Sequence, residues 1–108
     1  MKNIAPGGLA EAIKGMRAIG VVLFSSDVCP PCKSMNLAVG DLESGLAGNP
    51  AVEFYKVNTE EDQASLDVLN VEWTPTTVFV KGGVEIGRVE GATSAVELAK
   101  KLREAVNR

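Results

Sequence analysis

Between Val21 and Cys32 the chain passes from a run that demands burial to two consecutive prolines that suit only the start of a helix, with a cysteine on either side of them. Val21-Val22-Leu23-Phe24 does not alternate, and it is bounded by Gly20 and by Ser25-Ser26-Asp27, the pattern of a short strand covered on both faces. Pro30 and Pro31 fit the first turn of a helix, where backbone N–H groups have no intrahelical partner to lose. Beyond them Met35, Val39, Leu42 and Leu46 recur at helical spacing, which predicts a helix ending near Gly48-Asn49-Pro50. A buried strand that runs through a short loop into a helix is the unit of a layered α/β fold, and chemistry in such folds gathers where strand ends meet helix starts. Cys29 lies at that junction.

The flanking sequence fills in the same architecture. Leu9, Ala12, Ile13 and Met16 predict a first helix over Leu9 to Ala18, with Gly20 ending the pattern. Val52 to Val57 has the β-branched and aromatic content of a strand, and a shorter helix through Leu66 and Leu69 follows, which Asn70 can end in the left-handed conformation. Val71 to Pro75 reads as an irregular connector. Thr76 to Val80 and Val84 to Val89, joined by Lys81-Gly82-Gly83, read as a hairpin. A last helix starts at the Ser94-Ala95-Val96-Glu97 capping box and points Val96, Ala99, Leu102 and Val106 at the core. Two right-handed crossovers before a closing hairpin give a central mixed sheet of four to five strands with helices on both faces. At 108 residues the chain is expected to be a single domain over 1–108.

Composition narrows the chemistry. Eleven basic against fourteen acidic residues, with no basic cluster, give a net charge of −3 and argue against nucleic acid and anionic membranes as partners. No stretch approaches a membrane span and no apolar leader follows Met1, so the expected setting is cytoplasmic. With no histidine in the chain, Ser-His and Cys-His catalysis and His-ligated metal sites are unavailable. Zinc would need four Cys or His ligands against the two cysteines present, so no metal is expected. Thiols are kept reduced in the cytosol, which makes a close pair redox-active rather than a staple.

Two residues between cysteines in the first turn of a helix bring the sulfurs within reach of a disulfide. The helix N-terminus favours a thiolate. Cys29, nearer the loop, is the expected attacking sulfur, and Cys32, one turn further in, the resolving one. Pro30 and Pro31 remove two N–H donors from the thiolate's surroundings, which predicts a reducing pair.

At this point the residues resemble the thioredoxin family. Cys29-Pro30-Pro31-Cys32-Lys33 is similar to its Cys-Gly-Pro-Cys-Lys active site, Thr74-Pro75-Thr76 to its cis-proline segment, Lys81-Gly82-Gly83-Val84 to its hairpin turn, and Gly91 falls at its glycine after the last strand. The resemblance implies a thioredoxin fold, with Pro75 cis against the disulfide and the Thr74 backbone pairing with an extended substrate chain. It also implies a function: a thiol-disulfide oxidoreductase that reduces protein disulfides, holds no bound cofactor, and is recycled by a thioredoxin-reductase-type protein or by glutathione. Its expected state is a monomer. The alternatives are a glutaredoxin-like reductant coupled to glutathione, and a module that clamps a partner with redox turnover incidental.

The departures from the family pattern are specific. Val28 and Ser25 stand where tryptophans are common, so Trp73, two residues before Pro75, is a candidate to restore an indole near the disulfide. Leu23 stands where the family has a buried aspartate, while that residue's lysine companion survives as Lys56. Deprotonation of Cys32 then falls to solvent, to Cys29, or to Asp27 as a secondary candidate.

Overall fold

A computed structural model describes every residue except Arg17, Ala47, Gly48, Pro50 and Arg108. In chain order the elements are β1 (Lys2–Asn3), α1 (Leu9–Gly15), β2 (Ile19–Ser25), α2 (Pro30–Gly45), β3 (Val52–Asn58), α3 (Gln63–Val68), β4 (Thr76–Lys81), β5 (Val84–Glu90) and α4 (Ala95–Val106). The strands form one mixed sheet in the order β1-β3-β2-β4-β5. β2 lies at its centre, parallel to β3 and antiparallel to β4, and β4 and β5 form the antiparallel hairpin.

The apolar run expected to be covered on both faces is so covered: Val21, Val22, Leu23 and Phe24 are all fully buried. Their alternation feeds two cores. Val21 and Leu23 pack with Met35 and Val39 of α2 and with Leu98 and Leu102 of α4. Val22 and Phe24 pack on the opposite face with Leu9 and Ile13 of α1 and with Val57, Val78 and Val80. Each such side chain contributes about 1.5–3 kcal/mol by leaving water, which outweighs the up to about 1 kcal/mol that Gly40 costs inside α2.

Several boundaries differ from the sequence expectation. α1 stops at Gly15, and Ile19 and Gly20 already belong to β2, paired with Val52 and Glu53 on one side and with Lys81 and Val80 on the other. Two ladders satisfy the backbone here better than one more helical turn could. Gly20 is therefore a point of close approach and not a helix stop: a Cβ there would lie 2.5 Å from Met16 Sδ. α2 ends at Gly45 with Leu46 as its C-cap, a little ahead of the Gly48-Asn49-Pro50 near which the end is expected, and of these Gly48 and Pro50 lie outside the described residues. The edge strand β1 is too short to leave a periodic signal.

In α4 the Ser94 cap forms as expected, its hydroxyl accepting from Glu97 N–H at 3.1 Å. Val96 is 80% exposed, however, and Leu98, Leu102 and Ala105 form the buried stripe. The expected Ala99, Leu102 and Val106 do pack on the core, Leu102 buried and the other two half-buried against it, so only Val96 is misplaced, and Leu98 and Ala105 complete the apolar face. Asn70 does adopt the left-handed conformation, with φ of 53°.

Candidate active site

The C-terminal end of β2 and the N-terminal turn of α2 place the cysteines. Cys29 is the N-cap of α2, with the two prolines in its first turn. Cys29 and Cys32 form a disulfide with their Cα atoms 5.3 Å apart. Exposure sets the two apart: Cys29 is half-buried and opens onto a shallow groove of about 220 Å³ lined by Asp27, Val28, Pro30 and Lys33, while Cys32 is only 1% exposed. The first turn offers few N–H groups, since residues 30 and 31 are prolines and the N–H of Cys32 is engaged by the Cys29 carbonyl at 3.0 Å.

The connector before β4 faces the disulfide. The Thr74–Pro75 peptide bond is cis, and the Thr74 carbonyl oxygen lies 3.7 Å from Cys29 Sγ. Gly91, with φ of 85°, donates its N–H to the Pro75 carbonyl at 2.8 Å and so ties the end of β5 to this loop. Trp73 is 57% exposed, and its indole N–H donates to Glu90 Oε2 at 2.6 Å. It is an anchored aromatic on the connector, while Val28, 82% exposed, leaves the Cys29 side without one.

Beneath the cysteines the sheet face toward α2 carries Leu23, fully buried and paired in register with Lys56 of β3. Lys56 is half-buried and, with Ser25, Asp27, Asn58 and Glu61, lines a polar cavity of about 320 Å³. Asp27 is exposed and borders both this cavity and the groove at Cys29. The structure thus gathers Asp27, Cys29, Pro30, Cys32, Thr74 and Pro75 around the disulfide, with Gly91 bonded to Pro75 from behind.

Sequence reasoning missed the polar residues that brace the site. Asn36 Nδ2 donates to the Cys32 carbonyl at 2.8 Å and to Ser25 Oγ at 3.1 Å, joining the cysteine turn to the end of β2. Its position one helical turn after Cys32 was the available signal. Ser26 Oγ donates to Glu60 Oε1 at 2.7 Å across 34 residues of sequence, a contact with no local signature. At the base of α3, burial pushes the Asp62 carboxyl up, but hydrogen bonds from the Ser65 hydroxyl and from the N–H groups of Gly7 and Ser65 outweigh it and hold the pKa below the ordinary carboxylate value. Among the described residues no group of three or more His, Cys, Asp or Glu side chains converges to hold a metal ion, and no helix is long and apolar enough to cross a membrane.

A two-cysteine disulfide at the head of a helix, one sulfur open and one buried, opposite a cis-proline loop on a five-stranded mixed sheet, defines the site of a thiol-disulfide oxidoreductase. The sequence profile of the family described as Thioredoxin matches residues 3–104. The thioredoxin of Echinococcus granulosus is 34% identical over 88% of this chain and 85% of its own length. A putative thioredoxin H10 of Arabidopsis thaliana is 38% identical over 81% of this chain, which spans 54% of that longer protein. Among solved structures, Fasciola hepatica thioredoxin superposes with a TM-score of 0.79 at 28% identity, covering 97% of this chain and 99% of that one. The chain belongs to the thioredoxin family. Its redox-active centre is the Cys29–Cys32 disulfide, which in this family carries the electrons without a bound cofactor.

Proposed function

We propose that the chain is a single domain over residues 1–108 that reduces protein disulfides in the cytoplasm as a monomer, through the Cys29-Pro30-Pro31-Cys32 site. The observation that carries this reading is the asymmetry of the pair: Cys29 is half-open at the groove and Cys32 is sealed beneath it. In the dithiol form the Cys29 thiolate attacks a substrate disulfide, and a mixed disulfide forms as one substrate sulfur leaves and takes a proton from solvent. The Cys32 thiol gives up its proton, and its thiolate displaces the second substrate sulfur from Cys29. Two electrons pass to the substrate and the Cys29–Cys32 bond closes. A thioredoxin-reductase-type protein then restores the dithiol.

Thr74, Pro75 and Gly91 form the wall along which an extended substrate chain lies, with the Trp73 indole at its edge. Asp27 and Lys56 have a secondary role through the polar cavity. Pro30 and Pro31 leave the Cys29 thiolate with fewer N–H donors than an ordinary dipeptide would, which keeps the pair reducing. A measured potential above that of the glutathione pool would contradict this last point.

The test is reduction of insulin disulfides with a small dithiol as the electron source. Cys29→Ser abolishes turnover, and Cys32→Ser accumulates a mixed disulfide that mass spectrometry detects. If Cys29→Ser retained the wild-type rate, dithiol exchange at this pair would be wrong.

A further inference from the structure

Thr77 Oγ1 is fully buried and has no hydrogen-bond partner, alone in this among the buried side-chain polar atoms of the described residues. A hydroxyl in that position carries the full desolvation penalty of the group, and a valine of the same shape would not. The register of the sheet says what the hydroxyl faces. Thr77 stands directly across the β2–β4 ladder from Leu23, and directly opposed residues of an antiparallel pair share one face. Leu23, and Phe79 two positions beyond Thr77, both belong to the core packed under α2. The unpaired hydroxyl therefore lies on the α2 side, beside the leucine that stands where the family pattern has its acid.

The first turns of α2 are fixed at two points close to the ends of β2 and β4. Cys29 Sγ rests 3.7 Å from the Thr74 carbonyl, just ahead of β4. Asn36 binds Ser25 at the end of β2 and, with the same nitrogen, the Cys32 carbonyl. Cys32, only 1% exposed, is held in the turn between these anchors, one just ahead of β4 and the other at the end of β2. What changes there with redox state is its sulfur. In the disulfide the sulfur has no proton to donate and is a weak acceptor, whereas opening the bond leaves a buried thiol that must become a thiolate.

We infer that the Thr77 hydroxyl is the partner that Cys32 acquires when the disulfide opens, a donor on β4 that serves the resolving sulfur in place of a carboxylate on β2. The inference rests on the dithiol-exchange reading above. A hydroxyl does not ionise near neutral pH, so it does not take the proton. That proton goes to solvent, and the Thr77 O–H then donates to the Cys32 thiolate. The thiolate attacks Cys29 Sγ, the bond from Cys29 to substrate breaks, and Thr77 is again without a partner once the Cys29–Cys32 bond has closed. The cost of the unpaired hydroxyl falls on the oxidised form and is relieved in the reduced one.

Thr77→Val separates this from a merely structural role. The dithiol–disulfide equilibrium of the whole chain is measured against a glutathione redox buffer, and the thermal unfolding of both redox forms is recorded. The expected result is an equilibrium constant shifted about threefold to tenfold toward the disulfide, up to about 30 mV more negative in potential. The oxidised form gains more thermal stability than the reduced one. The thiolate absorbance of Cys32 in a Cys29→Ser background titrates at higher pH, and Thr77→Ser, which keeps the hydroxyl, restores the wild-type values. Equal stabilisation of both redox forms with an unchanged equilibrium would overturn the inference. Thr77→Ala gives the same comparison if the valine variant folds poorly. Because the readout is a glutathione equilibrium, a failure of the parent chain to reduce insulin would count against the proposed function and leave the Thr77 result interpretable.

Discussion

Residues 26–29, which carry Cys29, the sulfur proposed to attack, and residues 70–75, which face it, are fastened to the molecule in different ways. The first segment hangs on exposed side-chain bonds: Ser26 Oγ and the Val28 N–H both donate to Glu60 Oε1, at 2.7 and 3.3 Å. The second is tied through main chain and a half-buried guanidinium. Arg88 of β5 donates to the carbonyls of Leu69 and Asn70, at 2.6 and 3.4 Å, while Glu85 holds its other edge. Thr76 Oγ1 closes on the Trp73 carbonyl at 2.7 Å, and Gly91 N–H on that of Pro75. Water competes freely for the first set and only in part for the second, most of whose bonds are half-buried. The wall that faces the disulfide is thus the rigid partner, and the cysteine loop is the side that can adjust to a substrate.

The largest expected effect comes from the start of α3, the helix that leads into the rigid segment. Asp62, only 4% exposed, caps α3 and accepts from Gly7 N–H at 2.8 Å, Ser65 N–H at 3.0 Å and Ser65 Oγ at 2.6 Å. Asp62→Ala strips the cap of α3 and leaves the buried Ser65 N–H and hydroxyl unpaired, while the exposed Gly7 N–H turns to water, and it is expected to cost about 3 kcal/mol in urea unfolding. The same carboxylate predicts a pH dependence. Its pKa is lowered on folding from the ordinary 3.8, so its stabilisation is present in full above that value and is lost as pH falls through the lower folded value. The loss of stability in acid should be shallower in Asp62→Asn than in the parent chain. Arg88→Ala comes next, at about 2 kcal/mol, because it strips charge-assisted bonds from the carbonyls at the end of α3. If Arg88→Ala unfolded at the same urea concentration as the parent, the second segment would be no better fixed than the first.

How far the sequence foretold each region follows from the range of its interactions. β2, α2 and the β4–β5 hairpin are legible because Val21 to Phe24, Pro30-Pro31 and Gly82-Gly83 are local signals read over a few residues. The cysteines and Pro75 are legible because their spacing resembles a known pattern. Asp62, Arg88 and Glu60 were not, since each acts on backbone that only the folded chain brings near, and an acidic or basic residue in a polar segment ordinarily reads as solvated surface. Thr77 sits within an expected strand. Its meaning depends on the β2–β4 register that places it against Leu23, and register is a property of the pairing, not of either strand. The exposure of Val96 in α4 has a related cause: Val96 and Leu98 are both apolar residues of its first turns, and only the packing selects Leu98 for the core.

Gly91→Ala probes the main-chain part of the rigid segment. Nothing lies within 4 Å of a Cβ at this position, so the substitution meets no clash. The backbone φ of 85° is the whole difficulty, and a left-handed alanine costs about 1–2 kcal/mol. The expected outcome is a loss of about 1 kcal/mol in denaturant unfolding, with a fall in insulin reduction as the Pro75 carbonyl loses its fixed donor. An alanine that left both unchanged would mean that the left-handed backbone at position 91 carries no strain and places no demand on a glycine.

The smallest effect is the one that decides the comparison. Glu60→Ala removes the acceptor shared by Ser26 and Val28, but both donors are exposed and turn to water, so the cost in unfolding should stay below about 0.5 kcal/mol. Its consequence belongs instead to the approach of Cys29 to a substrate. With the loop untethered at Glu60 and still hinged where Ser25 O accepts from Thr59 N–H at 3.0 Å, the attacking sulfur samples more positions over an unchanged wall. Insulin reduction at saturating substrate should fall less than reduction at low substrate, because what is lost is preorganisation of the encounter. A Glu60→Ala chain destabilised as much as Arg88→Ala would show that both segments are equally rigid.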